Sequence, residues 1–272
     1  MNLRCSQVLA LCLCILFLTL LNHFLHLLPG YLINVKEQFG NTPYVPRILH
    51  FISVEPFLKD NDTILEDVKS IIDEWKSIHV NYQVIVWTSS KIKHKFSKLA
   101  NLLKKIPNPS WISDIVRFKV SYEYGGLYLD TDIRAIRSVE PLLRQFKSGF
   151  VVCEQPRINN LLMEVPCDAM GTAVIASNKN SILMKILFEK SVRVTQKYLH
   201  SIEPDRLSSF YRRTIITGPP LLTNVNKKSD IPVIGSITFY PCDWSDRSKC
   251  VYEQFTNGSK NIYAMHQWRK RW

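Results

Sequence analysis

The sequence predicts an α/β domain with a mostly parallel central sheet, preceded by one transmembrane helix. Three observations carry this. Strand-like apolar runs alternate with helical periodicity between Arg47 and Asp132, the order expected of βαβ units. One of those runs ends on Asp130 and Asp132, two carboxylates one residue apart. Near the amino terminus, Val8 to Leu28 is almost wholly apolar, long enough to cross a bilayer core as a helix.

That run is broken only by Thr19, Asn22, His23 and His26, and Arg4 is the charged side chain before it. A cleaved signal peptide is the alternative, but the run exceeds the usual apolar core and no small-x-small cleavage site follows. The expected organisation is a cytoplasmic tail at 1–7, a signal anchor at 8–28, a short stem at 29–45 and a luminal domain at 46–272. Two acceptor tripeptides for N-glycosylation, at Asn61 and Asn257, agree with a luminal side. Of seven cysteines, Cys153, Cys167, Cys242 and Cys250 lie in this domain, and four cysteines allow three pairings. Proximity in sequence favours Cys153 with Cys167 and Cys242 with Cys250. No paired C-x-x-C spacing points to structural zinc.

Net charge is +12, and setting Arg4 aside leaves +11 for the luminal part. A basic luminal surface attracts nucleotide phosphates, anionic headgroups or acidic glycans. Nucleic acid is excluded as a partner behind a membrane anchor.

Within the domain, Arg47 to Ile52 reads as a buried first strand, and Ile64, Val68, Ile71, Ile72 and Trp75 mark a helix over 63–78. Tyr82 to Trp87 is a second strand, β-branched and aromatic. A basic helical patch follows and Pro107-Asn108-Pro109 breaks it. Ser113 is the expected N-cap of the next helix and Gly125 its stop. Further strands are expected at Phe150–Val152 and Ala173–Ala176, with a helix over 181–199 and an irregular end from Ile231.

On the 113–124 helix, Asp114, Arg117 and Ser121 fall on one stripe at a hundred degrees per residue. Ile115, Phe118 and Tyr122 form one apolar flank, and Val116, Val120 and Tyr124 the other. Lys119 and Glu123 make an i,i+4 pair on the far side. Either Asp114 and Arg117 face a pocket, or they form an i,i+3 ion pair on the surface; periodicity does not choose.

Asp130 and Asp132 at a strand end suit a hard cation such as Mn²⁺ or Mg²⁺, which keeps waters and accepts substrate phosphates. Rival motifs fail. Ile133 and Arg134 stand where an EF-hand needs further ligands, and neither a P-loop nor a serine-hydrolase elbow is present. An aspartate-nucleophile phosphatase is disfavoured by Arg134 and by the motif's place beyond the first strand.

The run S-D-I-V-R-F-K-V-S-Y-E-Y-G-G-L-Y-L-D-T-D, from Ser113 to Asp132, resembles the donor-binding core of glycosyltransferase family 32. Arg47-Ile48-Leu49-His50, Val86-Trp87-Thr88, Thr217-Gly218-Pro219, Phe239-Tyr240-Pro241 and His266-Gln267-Trp268 resemble further segments of that family. The resemblance implies a GT-A-type fold that binds a nucleotide sugar. It implies that Asp130, Asp132 and His266 hold Mn²⁺ or Mg²⁺ against the diphosphate. Asp114, Arg117, Tyr128 and Trp268 complete the donor site, with Arg117 stabilising the leaving diphosphate. Glu154, Gln155 and Asp168 are further polar groups for the sugar or the acceptor. The implied enzyme is a retaining hexosyltransferase of the Golgi membrane, single-pass type II, transferring from a UDP-sugar to a glycan or glycolipid. A GDP-mannose enzyme and an inactive carbohydrate-binding relative are the alternatives.

Overall fold

In the computed structural model the described residues are 44–54, 62–153, 169–201, 217–226, 231–242, 251–256 and 260–269. They belong to the second of two units, Thr42–Trp272. The apolar run from Val8, both glycosylation tripeptide asparagines, Glu154, Gln155, Asp168, Cys167 and Cys250 lie outside the described residues. Among the described residues no helix is long and apolar enough to cross a membrane.

A six-stranded sheet has the order β2-β1-β3-β6-β5-β7. Its strands are β1 (Ile48–Ser53), β2 (Gln83–Thr88), β3 (Gly126–Leu129), β5 (Gly149–Cys153), β6 (Met170–Ser177) and β7 (Val233–Ile234). β1 pairs parallel with β2 and β3, β6 is antiparallel to β3 and to β5, and β7 is parallel to β5. All strands but β6 therefore run one way. The expected mostly parallel sheet is a mixed sheet with a single reversed strand. A second, two-stranded sheet joins β4 (Ile133–Ala135) to β8 (Ala264–His266).

The sheet is covered on both faces, which is why its strands read as unbroken apolar runs. Alternation along each strand sorts the side chains. Leu49, Phe51, Leu127, Leu129, Phe150 and Val152 pack one way, beneath Trp75 of α1 (Glu66–Ile78). Ile52, Tyr128, Val151 and Ile175 face the other way, against Ile115 and Phe118 of α4 (Pro109–Tyr124). Trp75 is fully buried, and its Nε1–H donates to the Ile133 carbonyl at 2.7 Å, fastening α1 to β4. The basic patch forms α2 (Ser89–Lys95) and α3 (Ser97–Leu103). The remaining helices are α5 (Glu140–Gln145), α6 (Ile182–Ser201), α7 (Pro219–Asn226) and α8 (Glu253–Thr256).

The central helix begins earlier than its sequence suggested. Asn108 is the N-cap, its Oδ1 accepting from the Ser110 and Trp111 amides, and Pro109 fills the first turn where no N–H is required. Ser113 is buried inside the helix instead. Gly125 closes the helix, its N–H donating to the Ser121 carbonyl at 3.1 Å.

Gly125 (φ 65°) and Gly126 (φ 96°) both occupy left-handed backbone. A Cβ on Gly126 would lie 2.6 Å from the Ile48 carbonyl oxygen, and one on Gly125 2.4 Å from the Lys179 amide nitrogen. The double glycine thus lets α4 turn directly into β3 between β1 and the end of β6. His50 seals this turn: its Nε2 contacts the Gly125 carbonyl at 2.7 Å, and its Nδ1 accepts from Trp87 Nε1 at 3.1 Å. Burial pushes the His50 pKa down to about 4, which leaves the ring neutral with its proton on Nε2.

Candidate active site

The Asp-x-Asp run lies where β3 ends. The Asp130 amide still donates to the Ala173 carbonyl of β6 at 2.8 Å, and the Ile133 amide then turns back onto the Asp130 carbonyl at 3.1 Å. The two carboxylates are therefore carried by a tight turn rather than by one face of a strand. β4 follows at once, and its pairing with β8 sets His266 opposite Ile133. This pairing carries the carboxy-terminal histidine to the aspartates.

His266 Nε2 lies 3.1 Å from Asp132 Oδ1. Ligand atoms of Asp130, Asp132 and His266 all fall within 4.8 Å of one another. Two hard carboxylate oxygens and one imidazole nitrogen suit Mn²⁺ or Mg²⁺, which favour oxygen-rich sites. The chain beyond β8 closes on the same turn: the Gln267 amide donates to the Asp132 carbonyl at 2.9 Å and the Arg269 amide to Asp132 Oδ2 at 2.8 Å. Trp268 between them adopts φ 53°, donates from Nε1 to the Cys242 carbonyl at 3.0 Å, and holds its ring 4.1 Å from that of His266. Tyr240 completes an aromatic trio, 5.4 Å from His266 and 5.6 Å from Trp268. Cys153 and Cys242 are both disulfide-bonded.

Behind the aspartates stands a buried charge network. Arg117 pairs with Asp114 at 3.1 Å and with Asp130 at 3.3 Å, and donates to the Thr172 carbonyl at 2.6 Å. Its guanidinium lies 4.9 Å over the Tyr128 ring, and the Tyr128 hydroxyl donates to Asp130 Oδ1. Asp114 also accepts from Thr217 Oγ1 at 3.0 Å. Burial pushes Asp114 up to about 6, against the opposing pull of Arg117 and Thr217. Burial works to lower the Arg117 pKa, but Asp130, Tyr128 and Asp114 around it raise it further, so it stays a cation.

Both sequence alternatives for the helix stripe thus hold in part: Asp114 and Arg117 do form an i,i+3 pair, and the pair is buried. Lys119 and Glu123 pair at 2.6 Å as spaced. Arg117 has every nitrogen committed within the protein, since Nε donates to the Ser113 carbonyl at 3.3 Å. Arg134 is bound to Glu74 through two nitrogens and stacks 3.6 Å over Tyr252.

Thr172, Thr217 and the backbone of Arg269 were not singled out from sequence as contributors to the site. The Thr217-Gly218-Pro219 run was the available signal for Thr217. No side-chain pattern marks the carbonyl of Thr172 or the amide of Arg269.

The fold and site define an α/β domain with an acidic, histidine-completed cation site at a strand end. Residues 66–148 match the family described as "glycosyltransferase sugar-binding region containing DXD motif", and over this region the chain belongs to that glycosyltransferase family. The resemblance read from the sequence is borne out at this level. An inositol phosphoceramide mannosyltransferase 3 of Schizosaccharomyces pombe is 30% identical over 79 residues, 28% of this chain and 21% of that protein. The mannosyl phosphorylinositol ceramide synthase CSH1 of Saccharomyces cerevisiae is 26% identical over 122 residues, 41% of this chain and 31% of that one. The subversion of eukaryotic traffic protein A of Legionella pneumophila is 22% identical over 236 residues, 74% of this chain and 35% of that protein. The chain therefore spans about a fifth to a third of these curated relatives. Among solved structures, the PaToxG glycosyltransferase superposes with a TM-score of 0.48 at 15% identity, covering 69% of this chain and 70% of that one.

Proposed function

We propose that the protein is a metal-dependent, retaining glycosyltransferase of GT-A type that moves a hexose from a nucleotide sugar to a hydroxyl of a glycan or glycolipid. The observation that carries this is the Asp130, Asp132 and His266 cluster at the end of β3, backed by the buried Arg117 network. A divalent cation held there supplies Lewis-acid stabilisation of a departing diphosphate.

The protein's own groups keep that site ready. Arg117 and the Tyr128 hydroxyl hold Asp130 ionised and aimed. His266 and the Arg269 amide do the same for Asp132. Preorganised charge of this kind costs nothing to rearrange at the moment of reaction. The Tyr240, His266 and Trp268 rings wall the site and exclude water from one side. In the same-face exchange, the bond from the anomeric carbon to the diphosphate breaks with its electron pair leaving on the phosphate oxygen. The acceptor oxygen bonds to that carbon and passes its proton to the departing phosphate. Arg117 and Tyr128 act through Asp130 in this scheme, and Trp268 shapes the wall.

A UDP-sugar donor is the first reading. GDP-mannose is the second, supported by the mannosyltransferase names of the fungal relatives. The Val8–Leu28 run supports a type II anchor in the Golgi membrane with the domain luminal. The Cys153–Cys167 and Cys242–Cys250 pairings fit that compartment.

Detergent-solubilised full chain, offered a panel of UDP-sugars and GDP-mannose with and without Mn²⁺, tests the proposal. Metal-dependent donor turnover that is lost in Asp130→Ala with Asp132→Ala is expected. Turnover that ignores both metal and substitution sinks the reading.

A further inference from the structure

The edge of the sheet opposite the aspartates combines apolar exposure with positive charge. The loops that meet there precede β1, β2 and β5 and follow β6. Printed contacts tie them together: Lys147 Nζ lies 5.4 Å from the Tyr44 ring, Arg47 and Tyr82 both bind Glu140, and Pro46 and Lys179 crowd the same face of Gly125. Three large apolar side chains stand exposed on these loops, Tyr44 (55%), Val80 (78%) and Ile182 (44%). Exposed Arg47, Arg144, Lys147 and Lys179 surround them. The acids at this edge are engaged: Glu140 with Arg47 and Arg144, Asp73 with Lys76, and Glu189 with Lys185. The polypeptide also enters the domain here, at Tyr44.

We infer that this edge docks on an anionic bilayer surface. The apolar side chains enter the headgroup boundary and the cations meet lipid phosphates. Each surface cation near an anionic leaflet contributes about 1 kcal/mol, so lysines and arginines around three apolar anchors form an interfacial site without an amphipathic helix. Residues 29–43 between the expected anchor and Tyr44 reach at most about 50 Å when fully extended, which keeps the domain at the membrane. The inference rests on the reading of Val8–Leu28 as an anchor. It has a consequence for the reaction: Asp130 follows the opposite end of β3, so the donor site faces away from the lipid.

The test is amide hydrogen exchange on the full chain in nanodiscs of phosphatidylcholine, with and without phosphatidylserine. Protection at residues 44–47, 79–82 and 178–182 is expected in the anionic discs only. Residues 62–65, at the opposite edge where Leu65 is 51% exposed, serve as the internal control and stay unchanged. Lys147→Glu with Lys179→Glu abolishes the protection, and so does Val80→Asp with Ile182→Asp. Equal exchange in both lipids, or protection that persists in the charge-reversed variant, overturns the inference. The anchor is judged separately, by resistance to alkaline carbonate extraction. Should carbonate strip the chain, flotation with phosphatidylserine vesicles reports on the edge directly, with the same loss expected in the charge-reversed variant.

Discussion

Arg117 reaches from the middle of α4 to Asp130 at the end of β3, 3.3 Å away, while holding Asp114 at 3.1 Å on its own helix. One cation therefore balances two carboxylates in a place with little water. Removing one member of a buried pair leaves an uncompensated charge, which typically costs about 3–5 kcal/mol. Arg117→Met is expected to lose stability on that scale, read as the urea midpoint. Adding Asp114→Asn to it should return part of the loss, because one stranded charge is then gone. A midpoint within error of wild type for Arg117→Met would remove the network from any role in holding the site.

Tyr128 presents its hydroxyl to Asp130 and its ring to Arg117. Groups that orient a ligand from behind are worth about 10–100-fold in metal affinity. Tyr128→Phe keeps the ring and the packing, so its loss is confined to that hydrogen bond. Mn²⁺ titration followed by electron paramagnetic resonance should show weaker binding of that order with the melting temperature nearly unchanged. His266→Ala should weaken Mn²⁺ binding further, since it removes a ligand itself. Unchanged affinity in both variants would place the cation elsewhere.

Much of this site was legible before the fold was known, for a physical reason. Asp114, Arg117 and Ser121 share a stripe because helical periodicity is local, and Gly125 and Gly126 mark a turn because few other residues adopt positive φ. The helix start was misplaced at Ser113 because an N-cap is recognised by residue type. Asn108, followed by Pro109, is an equally good cap with a better first turn. The antiparallel pairing of β4 with β8 was not legible at all, because it joins segments far apart in the chain through backbone bonds that carry no side-chain signature. Nothing in the sequence shows that the Arg269 amide caps Asp132, although His266 was already suspected.

The helix-to-strand turn makes a steric prediction. Gly126→Ala forces a Cβ to within 2.6 Å of the Ile48 carbonyl oxygen at φ 96°. Strained backbone of this kind costs on the order of 1–3 kcal/mol, and here the opposing atom is backbone that cannot rotate away. The substitution should lower the urea midpoint and displace Asp130 as β3 shifts, so metal affinity falls with stability. A stable Gly126→Ala variant with normal Mn²⁺ binding would contradict the turn as described.

His50 gives the pH dependence. Its pKa is about 4 in the folded protein against 6.5 in the unfolded chain, so between those values the unfolded state binds the extra proton. Stability from this residue is complete above pH 6.5 and is lost as pH falls toward 4, by about 3 kcal/mol in total at 1.36 kcal/mol per unit. Asp114 acts oppositely, because its folded pKa is raised to about 6 and protonation there favours the native state. The two windows overlap, so the informative quantity is a difference. His50→Gln, which can still donate and accept, should gain on wild type steadily from pH 6.5 down to 4 in paired urea titrations. Parallel curves would show that His50 is not held neutral.

Where the domain docks decides what it can glycosylate. β1 is six residues long, so the aspartate end of the sheet stands roughly 20 Å above the basic edge at about 3.3 Å per residue. With that edge against the bilayer, a sugar on a short lipid headgroup in the same leaflet lies on the wrong side of the domain. A glycan on a protruding or soluble carrier can reach the donor site from above. Full chain in anionic nanodiscs should therefore glycosylate a glycoprotein bearing a given terminal sugar faster than a glycolipid bearing the same sugar within its own disc. The Lys147→Glu, Lys179→Glu variant, freed to tilt, should narrow that gap by gaining on the glycolipid. If wild type prefers the lipid-borne sugar in its own disc, the acceptor approaches from the membrane side, and the fungal relatives' lipid substrates become the better guide.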